Sequence, residues 1–317
     1  MKRNNRIMIA GALAAGMLML AGCGGQSLSE AAEPSEAGSG SVSTQIPAGD
    51  LAASVLKGIE VDDSLAERVP ASIKKSGLRV ATADGYPPME MFDADGKTMV
   101  GVDMSLARAM AALWGVEVDI QNSDQNAMIP GVVSGRYDIV MSGLNDTEAR
   151  REKVSFVDYA KSSGAIVVPE GNPQGIASPA DLCGKTLAVL DNGYYMQLGQ
   201  GFSDECVAAG KPEITIMGFA NDPEALLQLK SGRADAGMND FPVARFRAQE
   251  AGGGYDVIEI AGSALFGIGV APDDEELISL IQDTLSQLIE DGRYEEIFAA
   301  WDLSGMAIAE ATVNQGS

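Results

Sequence analysis

Strand-like and helix-like segments alternate through residues 78–303, and this alternation limits the possible folds more than any other feature of the sequence. "LRVAT" (78–82) and "VEVDI" (116–120) have the apolar, β-branched composition of buried strands. Between them, "VDMSLARAMAALWG" (102–115) repeats apolar residues at helical spacing and ends on a glycine, and residues 275–292 follow the same pattern. The alternation predicts an α/β fold with mostly parallel sheets.

A weak internal repeat divides this region into two similar parts. "SGRYDIVM" (134–141) recurs as "SGRADAGM" (231–238), and "ATADGYPPM" (81–89) is echoed by "AVLDNGYYM" (188–196), in the same order. Coincidence between two ordinary helix-turn-strand units is one explanation. The other is a pair of α/β lobes that face each other, with a ligand bound beyond the carboxyl ends of their strands.

The first 22 residues predict export. Lys2, Arg3 and Arg6 precede an apolar stretch that is too short to span a membrane, and "LAGC" ends at Cys23. Small residues directly before a cysteine resemble the bacterial lipobox, in which Cys23 becomes a lipid-modified N-terminus. That motif implies a protein anchored to the outer face of the cell membrane, on the periplasmic side if the cell is Gram-negative. An ordinary signal peptide with an incidental cysteine is the alternative.

Three further segments flank the α/β region. Residues 23–49 are rich in Gly, Ser, Glu and Pro and are predicted to form a flexible tether. Residues 50–77 are predicted to be a short helical lead-in, and residues 305–317 a frayed C-terminal tail.

Composition excludes several classes of function. The chain has 22 Lys+Arg against 45 Asp+Glu and a net charge of −23, whereas nucleic-acid binding needs clustered basic residues. It has no histidine, so Ser-His-Asp and Cys-His catalysis are excluded within the chain and the commonest zinc ligand is missing. We therefore expect no nucleic acid, no metal and no cofactor.

Two cysteines remain if Cys23 is lipidated. In an exported protein, an even pair such as Cys183 and Cys206 predicts a disulfide. Two free buried thiols are the alternative.

Polar residues follow four of the predicted strands, at 84–86 and 142–145 in the first lobe and at 191–194 and 239–240 in the second. Asn145 is followed by Glu148 at capping-box spacing, which predicts a helix that starts there. The N–H groups at a helix N-terminus favour a carboxylate.

Arg150 and Asp240 carry opposite charges in matching regions of the two lobes. A guanidinium can hold a carboxylate through two hydrogen bonds, and a carboxylate can bind an ammonium, so the pair matches an α-amino acid. Each residue also has an ordinary explanation. Arg150 could pair with Asp146 on a helix surface, Asp240 could cap a helix, and Tyr86 could be a packed turn residue. The residues alone predict a two-lobed α/β protein with an unspecified polar ligand.

Residues 78–303 resemble family 3 of the bacterial solute-binding proteins, the extracytoplasmic receptors of polar amino-acid ABC importers. The resemblance is carried by "RVATADGYPPMEMFDADGKTMVGVDMSLARAMA", "IPGVVSGRYDIVMSGLNDTEARREKVSFVDY", "GRADAGMND" and "IEDGRYEEIFAAW". It implies a two-lobed type II periplasmic-binding-protein fold with a hinge of two chain crossings. "DLCGKTLAV" and "DECVAAGKPEI" resemble a subgroup with a cysteine pair in the second lobe, which supports the disulfide.

Carried over by position, the resemblance implies a ligand-binding set. Arg150 would clamp the α-carboxylate and Asp240 would bind the α-ammonium. Ser142, Gly143 and Asn145 would hydrogen-bond the ligand through backbone and side chain.

The resemblance also implies the walls of the pocket. Tyr86 would stack on the ligand and Met89 would line the pocket. In the second lobe the corresponding turn falls near Asn192, Gly193 and Tyr194, within one residue.

Two departures from the family pattern concern the ligand side chain. Gln125 stands where family members often have an aromatic residue, and "TADGY" replaces the usual "TDATY", which displaces the carboxylate at Asp84 by one residue. Both changes favour a polar, hydrogen-bonding ligand.

The resemblance implies lobe one at 78–163 plus 266–304 and lobe two at 164–265, with hinge crossings near 162–164 and 265–267. The protein would then be a monomeric, lipid-anchored receptor, not an enzyme, that delivers an amino acid to a membrane permease. Two alternatives remain open. A dehydratase on the same scaffold would need a general acid such as Glu90 or Asp84, and a sensor would signal through a separate membrane protein.

Overall fold

The computed structural model describes residues 46–316, and for residues 261–263 it describes the backbone only. The predicted signal peptide, the lipidation residue Cys23 and the tether up to residue 45 lie outside the described residues.

Eleven strands and eleven α-helices lie within the described residues. The strands are β1 (Leu78–Thr82), β2 (Met91–Phe92), β3 (Met99–Val100), β4 (Val118–Asn122), β5 (Ile139–Val140), β6 (Ser155–Pro169), β7 (Thr186–Leu190), β8 (Thr215–Phe219), β9 (Ala236–Asp240), β10 (Tyr255–Val270) and β11 (Thr312–Val313). The helices are α1 (Ala53–Leu56), α2 (Asp63–Arg68), α3 (Ala71–Ser76), α4 (Val102–Trp114), α5 (Gln125–Val133), α6 (Glu148–Arg151), α7 (Tyr194–Ala208), α8 (Asp222–Lys230), α9 (Phe241–Glu250), α10 (Glu275–Glu290) and α11 (Arg293–Ala300).

A nine-stranded sheet organises the molecule, in the order β4-β1-β5-β10-β6-β9-β7-β8, with β11 paired to β6. Strand β1 pairs in parallel with β4 and β5, and β7 pairs in parallel with β8 and β9. The long strands β6 and β10 are antiparallel to their neighbours. The parallel pairing predicted from the sequence is therefore found at both ends of the sheet, joined through two long strands.

Strands β6 and β10 pass through two halves of the molecule. In the first half, residues 155–162 of β6 pair with 264–270 of β10, and in the second half residues 164–169 pair with 255–260. We call β4, β1 and β5 with their helices the first half, and β9, β7 and β8 with theirs the second half. The first predicted crossing, at 162–164, falls inside β6. The register break in β10 lies between Ile260 and Ala264, just before the crossing predicted at 265–267.

Each half has its own buried core. Helices α4, α10 and α11 supply most of the first core, and the second is built around β7, α7 and the outer part of β6. Helix α9 follows β9 in the second half, yet its Val243 and Phe246 are buried in the first core. This helix is therefore packed across the two halves.

Several predicted elements occur with shifted ends. Helix α4 ends where expected, at Gly115, which takes a left-handed conformation with φ +66°. Strand β4 begins at Val118 instead of residue 116, because the N–H of Val116 still donates to the carbonyl of Ala111 in the helix. The lead-in comprises three short helices, α1 to α3.

The prediction of a frayed C-terminal tail is wrong for the described residues. Strand β11 pairs with β6, and the Thr312 hydroxyl donates to Asp158 at 2.8 Å. The N–H of Gly316 donates to the buried carboxylate of Asp146 at 2.7 Å. These residues are held in place because they donate hydrogen bonds to the buried carboxylates of Asp158 and Asp146, which would otherwise have fewer donors.

Cys183 and Cys206 form the disulfide that the sequence predicts, 23 residues apart in the second half. It joins the turn before β7 to the last part of α7.

Replacing both cysteines with serine should lower the free energy of unfolding by about 3 kcal/mol, because the cross-link restricts the unfolded chain. Denaturant unfolding of the oxidised parent and the double variant measures this difference. Reductant should destabilise the parent and leave the variant unchanged. Equal stability of the oxidised parent and the variant would contradict the account.

Candidate functional site

A cavity of about 320 Å³ lies between the two halves, at the carboxyl ends of the parallel strands. Its walls come from the turns that follow β1, β4, β5, β7 and β8, together with the end of β9. Parallel strands end at the same edge of a sheet, so these turns from two half-sheets converge on one space.

Most of the predicted ligand-binding residues line this cavity. They are Tyr86, Gln125, Ser142, Gly143, Asn145, Arg150, Gly193 and Tyr194. The other two, Met89 and Asp240, lie behind its wall with 0% and 1% of their surfaces exposed. The roles given to these residues in ligand binding stay predictions.

Arg150 is a half-buried cation at the cavity wall. It lies on α6, whose N-cap is Thr147 and not Asn145, so the predicted helix start is wrong by two residues. The pairing with Asp146 is made by Arg151, at 2.9 Å, whereas Arg150 Nη1 donates to the carbonyl of Asn145 at 2.8 Å. Burial lowers the pKa of Arg150, but an arginine remains charged at neutral pH.

No carboxylate within residues 46–316 forms an ion pair with Arg150. Beside it, the side-chain Nδ2 of Asn145 is buried and has no hydrogen-bond acceptor among those residues. Buried donors without acceptors cost free energy, on the order of 1–3 kcal/mol each, and are rare in folded proteins. Both side chains line the cavity, and that of Asn145 also helps to lower the pKa of Asp240.

Asp240 supplies the opposite charge in the second half. Its carboxylate accepts a hydrogen bond from the hydroxyl of Tyr195 at 2.8 Å and another from Tyr86, which belongs to the first half. Burial raises the pKa of Asp240 to about 6, against the hydroxyl donors that lower it, so the carboxylate is mostly ionised at neutral pH. Asp240 occupies the N-cap position of α9 but makes no side-chain capping bond there.

The ring of Tyr86 packs on a glycine of the first half. Gly143 has φ +51°, and a Cβ added there would lie 3.0 Å from the Tyr86 ring and 3.5 Å from Met89. Glycine is needed at this position both for its backbone conformation and for the space it leaves to the tyrosine.

Two buried carboxyl groups support the turn that carries Gly143. The N–H of Gly143 donates to Asp103 at 2.8 Å, and the Tyr159 hydroxyl donates to the same carboxyl at 2.6 Å. The hydroxyl of Ser142 donates to Glu90 at 2.7 Å. Burial raises the pKa of both acids, that of Asp103 to about 7, and the nearby Asp103 charge raises the pKa of Glu90 further. The Ser142 hydroxyl and the Gly143 N–H therefore already donate hydrogen bonds to carboxyl groups of the protein itself.

Sequence reasoning missed one part of the wall. Asn221 and Asp222 follow β8, line the cavity and begin α8, where Asn221 is the N-cap. Asp222 pairs with Arg247 at 3.4 Å, and burial raises the pKa of Asp222 to about 6 despite that cation. The rule that ligands bind beyond the ends of parallel strands applies equally to "TIMGF" (215–219), so this signal was available.

The described residues contain no group of three His, Cys, Asp or Glu side chains placed to hold a metal ion. In the same part of the chain, no helix is both long enough and apolar enough to cross a membrane.

Comparisons with known proteins agree with the fold. The model of the family described as "Bacterial extracellular solute-binding proteins, family 3" matches residues 78–304. The arginine-binding protein ArgT of Corynebacterium glutamicum is 32% identical over 250 residues, which cover 78% of this chain and 81% of that protein.

Two solved structures superpose on most of the described chain. An ancestral arginine-binding protein bound to glutamine has a TM-score of 0.64 at 34% identity, covering 71% of this chain and 97% of that one. The ancestral amino acid-binding protein AncCDT-1, described as a precursor of cyclohexadienyl dehydratase, has a TM-score of 0.65 at 31% identity, covering 75% and 99%. These likenesses confirm the predicted two-lobed type II periplasmic-binding-protein fold.

The buried acids Glu90 and Asp103 should make stability depend on pH. In the unfolded chain both lose their protons at about pH 4, whereas burial holds both pKa values higher in the folded protein. Between those values the folded state binds more protons, so stability should fall as pH rises. Glu90→Gln, a permanently neutral donor, should flatten this dependence in thermal melts from pH 4 to 8. The exposed change Glu117→Gln is the control and should keep the parent slope. Parallel profiles for Glu90→Gln and the parent would refute the explanation.

Proposed function

The chain belongs to the bacterial extracellular solute-binding proteins, family 3, and we propose that it binds a free, polar α-amino acid between its two halves and delivers it to the permease of an ABC importer. One observation carries this proposal. A half-buried guanidinium without a carboxylate at ion-pair distance in the described chain, Arg150, faces the same cavity that Asp240 adjoins from the other half.

The carboxylate of the amino acid binds in the first half. Arg150 offers a planar pair of donors, and Asn145 offers its unsatisfied Nδ2. A ligand carboxylate that accepts hydrogen bonds from both side chains replaces the hydrogen bonds to water that each side chain loses on burial.

The ammonium of the amino acid binds Asp240. This carboxylate already accepts hydrogen bonds from the hydroxyls of Tyr195 and Tyr86, and it keeps lone pairs for a third donor. Because the hydroxyls help to keep the carboxylate ionised, Asp240 offers a negative charge in a site that excludes most water.

The ligand side chain points to a polar wall. Gln125 lines the cavity beside Asp84 and Asp124, both of which are exposed carboxylates. Such a wall suits a hydrogen-bonding or cationic side chain. Relatives at 32% and 34% identity are named for arginine, and one of them is bound to glutamine, so these two amino acids are the first to test.

Ligand capture closes a hinge. The lobes comprise residues 78–163 with 266–304 and residues 164–265, and they are joined through β6 and β10. A zwitterion that binds Arg150 on one side and Asp240 on the other has more contacts when the halves are together, so it shifts the population toward the closed form. The closed form is what the permease receives.

The lipid anchor at Cys23 and the tether that follows keep the receptor near that permease. Diacylglycerol supplies the two acyl chains that stable anchoring needs. One copy of the chain contains both halves of the site, so the receptor acts as a monomer.

Two rival functions make different predictions. A dehydratase would use Glu90, which lines the cavity, as a general acid, but its carboxyl is buried and already accepts a hydrogen bond from the Ser142 hydroxyl. Incubation with prephenate or arogenate should therefore give no turnover. A sensor that signals without transport would leave amino-acid uptake intact when its gene is deleted, whereas loss of uptake is expected here.

Arg150→Ala should weaken binding of every amino acid that the protein accepts by about 100-fold or more, because it removes the shared carboxylate partner. Titration calorimetry with each ligand measures the change. Lys153→Ala removes an exposed cation three residues away and is the matched control, with affinity within twofold of the parent. Similar affinities for the parent and Arg150→Ala would show that the clamp is assigned to the wrong residue.

Gly143→Ala should weaken binding by roughly tenfold, since its methyl group displaces the Tyr86 ring. Gly135 also has a left-handed backbone, with φ +72°, but a Cβ there meets nothing within 4 Å. Gly135→Ala should therefore lose similar stability in thermal melts while its affinity matches the parent. If both variants keep the parent affinity, the packing of Tyr86 on Gly143 does not matter for the ligand.

A further inference from the structure

We propose that Arg247 is a latch residue, which ties the first half to the second in the closed form and slows release of the bound amino acid. The inference rests on the proposed function and extends it to a residue outside the ligand-binding set.

The guanidinium of Arg247 contacts both halves of the molecule. It lies on α9 in the second half, where it pairs with Glu250 at 2.7 Å and with Asp222 at 3.4 Å. Its Nη2 donates to the carbonyl of Gly85 in the first half at 2.6 Å. Only 15% of the side chain is exposed, so these contacts form in a partly desolvated place where a charged donor binds strongly.

A bond to Gly85 can affect ligand release because the next residue is Tyr86, which lines the cavity. The Tyr86 hydroxyl contacts Asn239 at 2.5 Å, and the Asn239 amide donates to Asp222, which pairs with Arg247. The turn at Gly85 and Tyr86 is therefore held at two points by one connected network of the second half. Tyr86 is also the residue proposed to cover the ligand.

Opening the hinge affects the contacts of Arg247 unequally. Asp222, Glu250 and Arg247 belong to the same half, so their ion pairs move together and hold the guanidinium in position in either state. The bond to Gly85 joins the halves and breaks on opening. A group that is already oriented loses little entropy when the latch forms, so the latch stabilises the closed form selectively.

The apolar packing of α9 supports the same assignment. Val243 and Phe246 of this helix are buried in the core of the first half, so closure already brings α9 against that half. Arg247 adds a directed polar bond at the end of this contact, next to the turn that carries Tyr86.

The latch predicts a specific kinetic effect. Breaking a contact made only in the closed form should raise the dissociation rate of the amino acid and leave the association rate unchanged. We expect Arg247→Ala to release ligand roughly tenfold faster, the loss typical of one charge-assisted hydrogen bond. Arg247→Lys should fall in between, since an ammonium keeps the charge beside Asp222 but lacks the planar fork that reaches both partners.

Stopped-flow mixing and chase experiments on the mature protein test this, with the tightest binder among the standard amino acids as the probe and L-arginine tried first. Arg245→Ala is the matched control. Arg245 lies two residues away on the same helix, is exposed, and has its guanidinium 5.7 Å from the Phe241 ring centroid. Its rates should equal those of the parent.

The possible results distinguish a failure of the Arg247 latch from a failure of the proposed amino-acid binding. Parent-like dissociation from both Arg247 variants, while the parent binds, overturns the latch alone. A slower association with unchanged dissociation also overturns it and assigns Arg247 to the fold of the second half. If Arg247→Ala does not fold, the comparison of Arg247→Lys with Arg245→Ala decides. A parent and an Arg245→Ala variant that bind no amino acid overturn the proposed function itself.

Discussion

Strands β6 and β10 pair with each other in both halves of the molecule, and the position of every residue in the candidate site depends on that pairing. Strand β10 is the neighbour of β5 in the first half, and β6 is the neighbour of β9 in the second. Two half-sheets built outward from one shared pair must end near each other. Their strand ends therefore face one cavity, although Asn145 and Asp240 are 95 positions apart in the sequence.

Electrostatics then decides what that cavity can hold. The chain carries a net charge of −23, and acidic side chains outnumber basic ones around the cavity. In such surroundings a half-buried arginine without a carboxylate at ion-pair distance in the described chain is unusual, because a partly desolvated charge favours a nearby counter-charge. In the proposed complex, the ligand carboxylate pairs with Arg150 and the ligand ammonium pairs with Asp240. Acidic surroundings also attract a cationic ligand side chain over some distance.

The sequence was sufficient for features that depend on local patterns. The apolar period of α4, the glycine that ends it, and the polar turns after β1 and β5 follow from spacing and composition, and the cysteine pair follows from the prediction of export. The sequence was insufficient for contacts between residues that lie far apart in the chain and follow no regular spacing. The support of the Ser142–Gly143 turn by Glu90 and Asp103 and the ordering of the C-terminal residues by Asp146 and Asp158 are examples. The pairing of Arg247 with Gly85 is another, because its acceptor is a backbone carbonyl that no residue type can signal.

The central claim is that the cavity recognises both charged groups of a free amino acid. The most direct measurement is a set of calorimetric titrations of the parent protein with its best amino acid and two derivatives of it. The methyl ester removes the carboxylate charge, and the N-acetyl derivative removes the ammonium charge. The account predicts that each derivative binds at least about 100-fold more weakly than the free amino acid. Binding of either derivative within a few-fold of the free amino acid would contradict it.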